Sequence, residues 1–165
     1  MRDPQLEQLP AFKIHTRSGS INLTLIPAKF DGETFTSRAG DVRVLKKGHL
    51  MIEMANATAR ADNRGNTTFD WTNKITMKLT DPDIQQILGG FRGDKCQIVH
   101  DPNKARNEAA ADLPKSRLQL SKGERFGFFM TMSRGDSAVS CPLSDADAAT
   151  LRLLLNRAVT RIYGW

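Results

Sequence analysis

At 165 residues with a formal net charge of +6 and a sequence pI of about 9.6, the chain is long enough for one domain with a sizeable core. Its basic balance favours polyanions, nucleic acid or an anionic membrane surface, as partners. No apolar run reaches the roughly 18–20 residues of a membrane helix, and no basic amphipathic helix stands out, which sets the membrane aside.

The chain opens on MRDPQLEQLPAF. It carries acids early and lacks an apolar segment, unlike a secretory signal or an Arg- and Ser-rich transit peptide. The expected location is therefore cytoplasmic or nucleoid-associated in a prokaryote or phage, and organellar only if a transit peptide has been removed. Residues 1–10 read as a flexible arm ending at Pro10, and 11–165 as a single domain.

From Ala11 to Phe30 apolar residues alternate twice, at Phe12 and Ile14 and then at Ile21, Leu23 and Leu25. The pattern predicts one long strand bent at Gly19 or two short ones. Pro27 confines its end to an edge or an exit. Asp31-Gly32 signals a turn, and 34–45 a weak strand with Val42 and Val44 as its clearest pair. Lys46-Lys47-Gly48 reads as a hairpin connection into a strand over 49–57, where Leu50, Ile52 and Met54 share a face. Residues 58–67, TARADNRGNT, lack an apolar period and read as a loop.

The stretch 69–80 predicts one strand. Ile75, Met77 and Leu79 take its core side, and Lys74, Thr76 and Lys78 the other. Thr80-Asp81-Pro82-Asp83 has the chemistry of a helix start, and Gly89-Gly90 that of a stop, giving about two turns. Residues 96–100 read as a strand. The following 101–114 form a long loop with a helical turn expected at 108–111. Three strands come next, over 115–121, 125–133 and 137–143, with a tight turn at Arg134-Gly135-Asp136. Ser144 and Asp147 then cap a final helix. Its stripe of Ala148, Leu151, Leu154, Leu155, Ala158, Val159 and Ile162 is built for core or subunit contact.

Catalytic and metal-binding signals are weak. His15, His49 and His100 show neither HxH nor HExxH spacing. Cys96 and Cys141 are too far apart for a metal pair; two free thiols are favoured, with one disulfide left open. Asp81, Asp83, Asp145 and Asp147 fall in helix first turns, where capping accounts for them. Gly89-Gly90 and Gly93 follow a helix rather than opening one, so they do not make a phosphate loop. The chain reads as a non-enzyme that needs no cofactor and no metal.

Binding has better support. Phe69 and Trp71 precede Lys74 and Lys78, and Arg125 precedes Phe126, Phe128 and Phe129. Cations that follow phosphates, beside rings that stack on bases, hold single-stranded nucleic acid without reading its sequence. The plainer alternative is a solvated sheet face with core rings. Trp71 shares parity with Ile75, so an unbroken strand would bury it.

Taken in order, KKGHLMIEM, FDW, a lysine-bearing strand, a capped short helix, HDP and a last helix ending RIYGW resemble the Whirly single-stranded DNA-binding proteins. The resemblance runs from about Phe12 to Trp165, and extends more distantly to the kinetoplastid mitochondrial guide-RNA-binding proteins. It implies an α+β fold of two four-stranded antiparallel sheets packed roughly perpendicular, each half followed by a helix. A homotetramer held by its helices is implied too, with contacts at Leu151, Leu154, Leu155 and Ala158. The family's KGKAAL motif falls on Ser18–Leu23, where the glycine and the last leucine match and both lysines are serines.

The expected ligand is single-stranded DNA of low sequence specificity, with RNA or an annealing role as the alternative and a transcriptional regulator or interaction protein as a third reading. The candidate contacts are Lys29, Lys46, Lys47, Lys74, Lys78 and Arg117 for phosphates, and Asn22, Phe69 and Trp71 for bases.

Overall fold

The computed structural model describes residues 9–30, 44–105 and 113–165. Residues 1–8 of the arm expected over 1–10, the greater part of the weak strand over 34–45 and the helical turn over 108–111 lie outside the described residues.

Strands β1 (Ala11–His15) and β2 (Gly19–Ile26) form an antiparallel hairpin, which resolves the open choice in favour of two strands. Gly19 is required for close approach. A Cβ there would lie 2.9 Å from both the Ala55 carbonyl oxygen and the Cys141 sulfur, which belong to different sheets. A short ribbon follows, pairing β3 (Lys29–Phe30) with β4 (Val44–Lys46). Lys46-Lys47-Gly48 is therefore not a hairpin: β4 pairs back to β3, and Gly48 donates its amide to the Ile162 carbonyl at 2.9 Å.

The long strand β5 (His49–Ala61) pairs with β2, with β6 (Thr67–Phe69) and with β7 (Ile75–Leu79). Most of the loop expected over 58–67 is thus hairpin. Its outer end faces water on both sides, so it has no apolar period to reveal it. The register lines up Phe12, Leu23, Ile52 and Met77 across four strands, and Ile14, Ile21, Met54 and Ile75 beside them. Full burial of an aliphatic side chain of this kind contributes roughly 1.5–3 kcal/mol.

The single strand expected over 69–80 is broken. Asp70 accepts from the Asn73 backbone amide at 3.3 Å and from its side-chain amide at 2.8 Å, closing a 3₁₀ turn over Trp71–Asn73. Local bonding of a short carboxylate competes with the ladder, and it releases Trp71 from the parity that would bury it.

Helix α1 (Asp81–Gly93) begins where expected, with the Thr80 amide and hydroxyl both donating to Asp83 at 2.9 Å. It runs through Gly89-Gly90 and ends at Asp94 in the left-handed region, φ 70°. Ile84, Ile87, Leu88 and Phe91 keep an apolar stripe across the glycines. Burying this stripe, at roughly 1.5–3 kcal/mol per side chain, outweighs a propensity cost of about 1 kcal/mol per glycine.

The second sheet is a meander of β8 (Lys95–His100), β9 (Ser116–Lys122), β10 (Phe128–Arg134) and β11 (Ser137–Leu143). Gly135 turns the last hairpin with φ 56°. Helix α2 (Asp145–Tyr163) follows, with Ser144 Oγ accepting from the Asp147 amide at 3.1 Å. One core joins both sheets and both helices. Cys96 and Cys141 are free. They stand on the inner face three strand spacings apart, about 14 Å, well beyond disulfide reach.

Candidate nucleic-acid interface

The first sheet buries one face, and the other gathers five of the predicted residues, Asn22, Phe69, Trp71, Lys74 and Lys78. Pairing places Lys13, Asn22, Glu53 and Thr76 in one row across β1, β2, β5 and β7. The next row holds Ala11, Thr24, Met51 and Lys78. His15, Ser20 and Ala55 make a third row at the far end.

Rings close that far end. Phe69 stacks on His15, with centroids 5.0 Å apart and planes 15° from parallel. Trp71 meets Phe69 edge-on at 6.5 Å, and Lys13 Nζ lies 5.8 Å from the Trp71 ring centre. His15 is held in place by Ser20, whose hydroxyl lies 2.8 Å from Nδ1. Phe69 and Trp71 are both half-buried, so each ring is packed on one side and reachable on another.

In the centre, Lys74 Nζ lies 2.5 Å from Glu53 Oε1. Asn22 donates to the other Glu53 oxygen at 2.9 Å. Burial would raise the Glu53 carboxyl, but hydrogen bonds from Lys74 and Asn22 and the charges of Lys74 and Lys13 hold it below its usual value. Asn22 itself is 8% exposed, and its side-chain oxygen Oδ1 is buried without a hydrogen-bond partner among the described residues.

Asn22, Phe69, Trp71, Lys74 and Lys78 thus share one face. Lys29 and Lys46 stand opposite each other on the β3–β4 ribbon, and the Lys46 charge reaches His49 at the start of β5. Lys47 is turned away, its Nζ 4.5 Å from the Tyr163 ring centre at the end of α2. Arg117 stands apart, on the outer face of the second sheet between Val99 and Ser133.

Lys13 was missed by sequence reasoning, although its polar place between Phe12 and Ile14 marks it for the outer face. His15 was missed because its role rests on Phe69, which is distant in sequence. Of the four candidate subunit contacts, Leu151, Leu155 and Ala158 are consumed by the chain's own core, at 1%, 2% and 5% exposure. Leu154 is half-buried, beside an exposed Leu153.

Among the described residues, no three His, Cys, Asp or Glu side chains gather as metal ligands, and no helix is long and apolar enough to cross a membrane.

Two antiparallel sheets sharing one core with two helices, and presenting an outer face that mixes amines with rings, define an α+β protein of the Whirly kind. The Whirly transcription factor family model matches residues 4–154, and the chain belongs to that family.

Its relatives include the chloroplastic single-stranded DNA-binding protein WHY1 of Zea mays, 23% identical over 132 residues, covering 77% of this chain and 47% of the relative. The chloroplastic WHY3 of Arabidopsis thaliana is 23% identical over 153 residues, covering 89% of this chain and 54% of the relative. The chain thus spans about half the length of these relatives. Both are plant chloroplast proteins and lend no support to a prokaryotic or phage setting.

The crystal structure of Arabidopsis thaliana WHY3 superposes with a TM-score of 0.74 at 20% identity, over 94% of this chain and 89% of that one. The structure of the plant transcriptional regulator PBF-2 gives 0.74 at 21%, over 95% and 84%.

Proposed function

We propose that this chain binds single-stranded DNA with little sequence preference and catalyses no reaction. The observation that carries this reading is the joint presentation of Lys13, Lys74 and Lys78 with Phe69 and Trp71 on one face of the first sheet. Amines neutralise phosphates, while rings stack on whichever base arrives, because every base has a π-face. A sheet face that presents rings suits an unpaired strand better than a duplex, whose bases are hidden from the rings. The names of the WHY relatives agree with this reading. Strand protection in repair, replication or recombination, and the regulation of transcription, are uses open to such binding.

We further propose assembly into a homotetramer. Leu153, 58% exposed, and half-buried Leu154 lie on the outward flank of α2. A groove of about 570 Å³ between that helix and the β1–β2 hairpin is lined by Phe12, Leu25, Leu154 and Trp165.

Mass photometry with and without a long thymidine oligonucleotide tests both statements. Four-copy particles that gain the mass of the strand are expected. Monomers would overturn the assembly, and particles that take up no strand would overturn the binding. Competition with a matched RNA decides which polynucleotide is preferred.

A further inference from the structure

The start of β5 gathers positive charge that no carboxylate among the described residues answers. Lys29 and Lys46 are directly paired on the β3–β4 ribbon, so their side chains leave the same side of it. His49 opens β5 and shares the parity of Met51 and Glu53, which places it on the outer face. Lys78 pairs with Met51 and is one diagonal step from His49 on that face. Like charges set across a ladder from one another are destabilising. Among the described residues, none of these four groups has a carboxylate within ion-pair distance; the ion pairs present join other residues. An anion relieves such a cluster.

We infer that Lys46, His49 and Lys78, flanked by Lys29, form a phosphate-binding subsite, and that His49 takes up a proton when a phosphodiester of a single strand occupies it. This rests on the single-strand reading above, and it extends the ring-lined face to its opposite end.

The electrostatics around His49 agree with the geometry. Burial, then the charges of Lys78 and Lys46, push its imidazole below the ordinary 6.5. It is therefore neutral at neutral pH. Among the described residues, the elements packed against it supply no acid. β2 offers Ile26 opposite, β7 offers Lys78, and the ribbon offers Lys46. Glu53 is four residues along the strand, about 13 Å away, and is engaged by Lys74 and Asn22. Asp81 is engaged by the Tyr163 hydroxyl at 2.5 Å. A phosphate seated between the lysines cancels their repulsion and restores the charged imidazole. Binding then tightens as pH falls, by up to about tenfold per pH unit for one linked proton.

The test is fluorescence anisotropy with a labelled thymidine oligonucleotide, at fixed ionic strength, from about pH 5.5 to 8 across the histidine range. Thymine does not titrate there, so any linked proton belongs to the protein. The expected result is affinity that rises toward acid in the native chain and in His100→Gln, and a flat profile in His49→Gln. NMR titration of the native chain provides a reading independent of any variant: the His49 pKa is expected to move up on addition of the oligonucleotide. Strand binding with an unmoved His49 pKa, or a His49→Gln profile as steep as the native one, would overturn the subsite while leaving single-strand binding intact. Failure of the native chain to bind the strand at any pH would overturn both.

Discussion

Glu53 holds the Lys74 ammonium at 2.5 Å in the middle of the face that carries the other amines. Half of that pair attracts a polyanion and half repels it, so Lys74 contributes less to binding than its position suggests, and Lys78 contributes more. Glu53→Gln is expected to tighten binding of a thymidine oligonucleotide on the order of threefold, which corresponds to less than about 1 kcal/mol at a solvated surface. Lys78→Ala is expected to weaken it and to lower the salt slope by about one phosphate contact. Anisotropy across a salt series measures both. A Glu53→Gln variant that binds more weakly would contradict this assignment.

The same pair sets a pH response in the free protein. The Glu53 carboxyl is depressed in the folded chain, so its stabilising contribution is fully present above the unfolded value of about 4.5. It is lost as pH falls through the lower folded value. Glu53→Gln should therefore flatten the loss of thermal stability below about pH 4.5, as read by melting curves on the acid side. An unchanged acid limb would contradict the coupling.

Trp71 is the ring freed by the 3₁₀ turn. Trp71→Ala is expected to cost about 1–3 kcal/mol of strand binding, roughly 5- to 150-fold. Because Trp165 is the second of two tryptophans, a Trp165→Phe background makes Trp71 the sole indole reporter. Its fluorescence should be quenched as the strand stacks. Undiminished binding by Trp71→Ala would remove the ring from the site.

Adjacent glycines in α1 should behave oppositely. A Cβ at Gly89 meets nothing within 4 Å, whereas one at Gly90 would lie 2.8 Å from Cys96 Cβ. Gly89→Ala is expected to stabilise by about 0.5–1 kcal/mol through helix propensity. Gly90→Ala is expected to destabilise by forcing the helix off β8. Denaturant unfolding of the two variants checks this, and a stabilised Gly90→Ala would contradict the close approach.

Those glycines also show where sequence ceases to be informative. Alternation revealed β7 and the second sheet, and a serine–aspartate pair revealed the start of α2, because these signals are local. Gly89-Gly90 read as a stop because the contact that needs Gly90 comes from Cys96 on the next strand. Phe69 and Trp71 were found by their proximity to lysines, but the turn that frees Trp71 depends on Asp70 bonding ahead rather than joining a ladder. The stripe on α2 was legible as apolar. Its division between the chain's own core at Leu151 and Leu155 and the outward flank at Leu154 depends on the sheets beneath, which no helical period encodes. Lys13 was within reach of the same alternation that found Lys78. It was passed over because it lies far in sequence from the rings it joins.

Burial raises the Cys96 thiol, and raises the Cys141 thiol to about 11. Near neutral pH Cys141 is held as the thiol, so the native chain should react slowly with a disulfide reagent and fully once unfolded. Fast native labelling of both thiols would contradict their inward placement.

The central claim is that amines and rings on one sheet face form a track for an unpaired strand. It is tested most directly by the salt dependence of affinity for a thymidine oligonucleotide beside a matched duplex, in the native chain and in a Trp71→Ala, Lys78→Ala double variant. The expected result is preference for the single strand, a linear fall of log affinity with log salt, and a double variant that loses both affinity and slope. Preference for the duplex, or a native chain whose binding ignores salt, would contradict it.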